Sequence, residues 1–249
     1  SGTTTCISAS TPSLTAGSMC RRPVPRPKPR RQPVAQVDRV DLAELTPALL
    51  PYLGQAAYVQ LALFETLSHA VSVAPTADSK VAVSRVAALA LAKHHGLAAE
   101  IKRLGQEPGS AMAPFAARID AYARTTLGAD WYEMLVTAYL TAGLLGDFQL
   151  QLAAGLSADA RIRVVPLLSG DDGHALLVNE LRSAIDANPR LAPRLAMWGR
   201  RLVGDTLLIA RSSLANVSHS RDHEARLEPA FTELIASHTR RMDVLGLTA

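Results

Sequence analysis

Residues 130–154 read DWYEMLVTAYLTAGLLGDFQLQLAA, and this stretch decides the fold. It is a single long helical pattern. Val136, Leu140, Gly143, Asp147, Leu150 and Ala154 follow one another by alternating steps of four and three, so they share one helix face. A seam of that kind belongs in a helix bundle. One of its members is a carboxylate, which is costly to bury unless it is paired, hydrogen-bonded or bound to a metal. The uncharged run over residues 134–146 is too short to cross a membrane and ends in Asp147.

Three further seams lie around it. A helix starting near Pro51 and running to about Val73 carries Leu53, Ala57, Gln60, Phe64, Leu67 and Val71 on one face, and stops at Ala74-Pro75. The next, with Asp78 or Ser79 as its cap, carries Val83, Ala87, Ala90, His94, Leu97, Ile101 and Leu104 and ends at Gly105. The short loop between them makes a helical hairpin. A loop over residues 106–110 and a short helix over 115–124 then form a crossover. Beyond the opening stretch, Ser157 can cap a helical segment that Pro166 and Gly170 break or kink. It continues to about Ala187 with Asp171, His174, Val178, Leu181 and Ile185 on one face. Two more helices are expected over residues 193–214 and 228–244, with a polar link over 216–226. The expected architecture is all-α: a four-helix bundle with one long crossover and additional C-terminal helices.

The charge is unevenly placed. Residues 1–37 hold Arg21, Arg22, Arg26, Lys28, Arg30 and Arg31 and no acid, so a chain of +4 overall carries −2 over the rest. Proline recurs through RRPVPRPKPRRQP (21–33), which excludes a regular helix and suggests an extended arm. Residues 1–37 are therefore read as a disordered basic tail, with tRNA or another anionic partner as its functional reading, and 38–249 as the helical domain. Cys6 and Cys20 both lie in the tail, so the helical domain has neither a disulfide framework nor a thiolate metal site, in keeping with a cytoplasmic protein.

Five polar residues interrupt the seams: Gln60, His94, Asp147, Asp171 and His174. Folding each hairpin about its loop brings Gln60 level with residues 90–91 and Asp147 level with residues 169–171. His94, Asp147, Asp171 and His174 would make a two-histidine, two-carboxylate site for one iron, manganese or zinc ion, with Gln60 orienting a ligand from behind. The alternative is a hydrogen-bonded network with no metal, in which Asp171 or Asp172 caps a helix after the Gly170 break. Glu65 and His95 fall off the seam faces. His219-x-x-x-His223 has metal-like spacing but sits in the polar link. No phosphate-binding glycine loop and no nucleophile motif is present.

Five short stretches carry a family resemblance: LALFETL (61–67), Ala74-Pro75-Thr76, GLLGDF (143–148), DDGH (171–174) and MWGRRLVG (197–204). Over residues 38–215 the chain resembles the chiefly actinobacterial ferritin-like proteins grouped with the tRNA 2-methylthio-isopentenyladenosine hydroxylase. The resemblance implies a ferritin-like bundle and, in the active hydroxylase, a carboxylate-bridged di-iron centre that activates O₂. Carried over by position, the ligands would be Gln60, Leu91, His94, Asp147, Asp171 and His174. Gln60 and Leu91 are not carboxylates, so the implied centre is degenerate and at most mononuclear. The competing expectation is a metal-free bundle used for binding, its basic arm meeting an anionic partner. A homodimer is expected by analogy with other ferritin-like bundles.

Overall fold

The structure, a computed structural model, describes residues 42–214 and 221–247, all within one compact unit. Among the described residues the only regular structure is helical: a short 3₁₀ turn at Leu42–Leu45, then α1 (Leu49–Ser72), α2 (Ala77–Arg103), α3 (Pro108–Thr125), α4 (Trp131–Ala153), α5 (Ala158–Leu168), α6 (His174–Ala187), α7 (Leu191–Arg211) and α8 (Arg221–Val244). None of them is long and apolar enough to cross a membrane. The basic arm lies outside the described residues.

The opening stretch forms the central helix. Asp130 caps α4 by accepting the Glu133 amide at 3.0 Å. Most of α4 is buried, because α1, α5, α6, α7 and α8 all lie against it. Its seam residues Val136 and Leu140 are fully enclosed. Two hydrogen bonds set its direction against α1. The Trp131 indole donates to the Ala70 carbonyl at 3.0 Å, and the Tyr52 hydroxyl donates to the Gln149 carbonyl at 2.8 Å. The two helices therefore run antiparallel.

The first hairpin is close to expectation, with Leu53, Ala57, Val83, Leu97 and Ile101 in the core. Its cap differs. Thr76, not Asp78 or Ser79, begins α2, its hydroxyl accepting the Ser79 amide at 3.0 Å. The crossover helix α3 has 18 residues rather than about ten, starting where Pro108 suits a first turn. It sits so close to α1 that a Cβ on Gly54 would collide with the Ala111 carbonyl. The Tyr122 hydroxyl meets Thr141 and Thr206, each at 2.7 Å, and joins α3 to α4 and α7.

The second hairpin departs from expectation. There is no bent fourth helix through residue 171. Residues 169–173 form a break between α5 and α6. Gly173 closes it with φ +70°, a left-handed conformation that favours glycine, and a side chain there would press on Val86 of α2.

α8 starts inside the stretch expected as a link. Its C-terminal half lies along α4 and α7, held by glycine notches. A Cβ on Gly199 would collide with the Met242 thioether. His238 is buried, and its Nε2–H donates to the Gly199 carbonyl at 3.1 Å. Burial pushes the His238 pKa below the ordinary histidine value; the bond to Gly199 opposes that shift and nearby Arg241 adds to it. The imidazole is therefore neutral in the folded state at pH 7. As pH falls through the ordinary value near ~6.5, the unfolded chain takes up a proton that the fold refuses, so stability is lost on acidification. We expect His238→Gln, which can still donate to the carbonyl, to flatten the loss of denaturant stability between pH 7 and pH 5. Chemical unfolding of both proteins at the two pH values checks this.

Candidate functional site

Beside α4 lies a chamber, a cavity of about 210 Å³ partly open to solvent at Ser169 and Gly170. Its lining comes from six helices and the α5–α6 break, with Leu168 contributed by α5. α1 contributes Gln60, α2 contributes Lys93, and α4 contributes Gly143, Gly146, Asp147 and Gln149. The α5–α6 break adds Asp172, α6 adds His174, and α8 adds Arg241. The hairpin register read from the loops holds, since Gln60 and Ala90 line one small neighbouring cavity, and Asp147 and residues 168–170 line the chamber.

Three of the five seam residues thus meet: Gln60, Asp147 and His174. The other two lie elsewhere. His94 donates Nδ1–H to the Ala57 carbonyl at 2.9 Å and ties α2 to α1. Its chain neighbour Lys93 takes the place in the lining, with Nζ donating to the Leu168 carbonyl at 3.2 Å. Asp171 is exposed, and its Oδ1 accepts the Gly173 amide at 2.9 Å. This corrects the helical reading of Asp171-x-x-His174. Residues 171–173 precede α6, so the spacing that would stack the two on one face does not apply. Asp172 is the carboxylate beside His174. It accepts the His174 amide and, at 3.1 Å, the His174 Nδ1–H. Glu65 and His95 are exposed, as their off-seam positions imply. His219 lies outside the described residues. Within the MWGRR motif, the Trp198 indole donates to Thr137 at 2.9 Å, and Arg201 stacks over its ring.

The sequence reading missed Arg241 altogether. Its Nη2 donates to Asp147 Oδ2 at 2.9 Å, although the two residues stand 94 positions apart. Gly143, one turn before Asp147, makes the room: a Cβ there would overlap the Arg241 Nε. Asp147 thus has a resident cation, and a second, Lys93, lines the same chamber.

The electrostatics follow from this company. Burial lowers the pKa of His174; Asp172 opposes the shift, Arg241 and Lys93 reinforce it, and Asp147 opposes it. Burial also lowers the pKa of Lys93, with Asp172 and Asp171 acting against it. Neutral His174 gives its Nδ1–H to Asp172 and keeps a lone pair on Nε2. That atom is buried without a partner, as are Gln149 Oε1 and Arg241 Nη1.

These donors do not fit the metal that a ferritin-like bundle implies. Among the described residues no group of three or more histidines, cysteines or carboxylates could hold a metal ion. Asp147 is engaged by Arg241, and the His174 Nδ1–H by Asp172. A divalent ion ~6 Å from a single fixed positive charge is repelled by roughly 5 kcal/mol at an effective dielectric of 20.

The model of a ferritin-like domain found in actinomycetes matches residues 45–227. The chain belongs to that ferritin-like family. No curated protein matches it. The matched span of the ferritin-like domain stops short of Arg241, so the cation that meets Asp147 comes from a segment beyond it.

Gly143→Ala places a methyl group against the Arg241 side chain. We expect it to lower stability by about 1–3 kcal/mol, typical of overpacking, and to speed amide exchange over residues 234–247 more than in α1 and α2. Gly146→Ala, three residues on, points into open space and should be neutral or add roughly 0.5–1 kcal/mol through helix propensity. Hydrogen exchange and denaturant unfolding of the two variants check both.

Proposed function

We propose that this ferritin-like protein is a metal-free bundle whose chamber beside α4 binds, rather than a mononuclear or di-iron oxygenase. The ion pair of Arg241 with Asp147 carries the reading. It puts a guanidinium on the one seam carboxylate of the central helix, where a metal ion would otherwise supply the positive charge. Lys93 in the same lining adds to it. The resemblance to the tRNA hydroxylase extends to the bundle. The di-iron reaction it implies needs carboxylates at the places of Gln60 and Leu91. The basic arm, with six cationic side chains from Arg21 to Arg31, would supply the contact for an anionic partner.

The competing reading is one metal ion on His94, Asp147, Asp171 and His174, with Gln60 behind them. Elemental analysis of the full chain, purified without chelator and again after anaerobic loading with Fe(II), Mn(II) or Zn(II), separates the two. We expect metal far below one equivalent throughout. A stoichiometric ion, lost in Asp147→Asn, would overturn the metal-free reading.

A further inference from the structure

One face of α7 turns away from the bundle. Met197, Arg201, Gly204 and Leu208 are exposed along it and follow one another by steps of four, three and four, the spacing of a single helical stripe. Large apolar side chains exposed singly are ordinary. Here two share one stripe, Met197 at 66% exposure and Leu208 at 67%. Among the described large apolar residues only Ile162 is more exposed. Apolar residues repeating along the outer face of a helix mark a surface that packs against something.

Gly204 lies between the two. A Cβ there would meet nothing within 4 Å, so nothing inside the chain requires a glycine. Glycine weakens a helix interior, and a close approach from outside accounts for the missing side chain. The charges beside the stripe are left over as well. Arg201 precedes Asp205 by four residues, a spacing at which such a pair ordinarily meets. The Arg201 guanidinium instead lies over the Trp198 ring, 5.4 Å from its centre. Asp205 makes no hydrogen bond or ion pair with another described residue.

A second copy of the same chain answers all three features. Arg201 and Asp205 stand about 40° and 80° round the helix from Met197, on the same edge of the stripe. A two-fold axis that crosses two antiparallel helices sets that edge against its own copy. With the axis near Val203, Arg201 of each copy comes level with Asp205 of the other, so the pair forms twice. Met197 of each copy then lies within about 1.5 Å, one residue's rise, of the level of Leu208 of the other. Gly204 falls next to the crossing point, where two packed helices approach closest. Arg200 and Arg211 lie on the opposite edge and take no part. We propose that the chain forms a homodimer through this face of α7, antiparallel about a two-fold axis near Val203, with Arg201 of each copy on Asp205 of the other. The proposal concerns the outer surface and is independent of the metal-free reading.

Sedimentation velocity of the full chain, over a concentration series into the high micromolar range, tests the proposal. We expect a monomer–dimer equilibrium. Arg201→Asp and Asp205→Arg each set like charges against one another across the axis and should each weaken dimerisation at least about tenfold. Mixed in equal amounts, the two variants complement each other, because both contacts of the mixed dimer join an acid to an arginine. The mixture should therefore recover most of the native affinity. Gly204→Leu puts a side chain at the crossing point and should abolish the dimer. Circular dichroism melting of each variant confirms that it is folded. A native chain that stays monomeric throughout the series overturns the proposal. So does a dimer that the single charge reversals leave unchanged, or a mixture of folded variants that does not recover it, since either result places the contact on another face.

Discussion

A carboxylate on the most enclosed helix of a bundle must find a positive partner. Asp147 is that carboxylate. Its side chain is about one-third exposed, on a helix otherwise surrounded by α1, α5, α6, α7 and α8. Full burial without a partner would cost several kcal/mol, and a metal ion and a guanidinium are alternative solutions to the same problem. In this chain the guanidinium of Arg241 is the partner. Much else in the middle of the molecule is consistent with that choice. Gly143 is small because the arginine side chain lies over it. The chamber carries balanced charge. Arg241 and Lys93 both help hold His174 neutral.

The same constraint gives α8 its place. Its C-terminal half presents Arg241 to α4 and Met242 to α7, each entering space left by a glycine. His238 adds a hydrogen bond to the backbone of the second notch. The matched family span ends at residue 227, so this docking surface serves a helix that mostly lies past it. Both notches fall in stretches that carried the family resemblance, GLLGDF and MWGRRLVG. In the structure, glycines from those stretches are the seats for α8.

Much of the fold was legible from residue spacing. Gln60, Asp147 and His174 stood out because each interrupts an apolar seam at helical intervals, and the structure brings those three to one chamber. Asp171 did not follow, because the spacing rule assumes a continuous helix. Gly173 at φ +70° interrupts it and leaves Asp172 beside the imidazole instead. His94 failed differently. It is on its helix as expected, but its ring reaches a backbone carbonyl of α1, and Lys93 lines the chamber. Arg241 gave no local signal. An arginine among polar neighbours on a late helix looks solvated until the helix is docked.

The sequence by itself determined the class of fold and the level of the site, because periodicity, proline breaks and caps are local properties that fix helices and short hairpins. It also excluded thiolate chemistry in the helical domain and removed two carboxylates from the implied di-iron set. Only the tertiary structure decided which charge answers Asp147. That contact joins residues 94 positions apart, and its geometry depends on how α8 seats against α4 and α7, which no local pattern encodes.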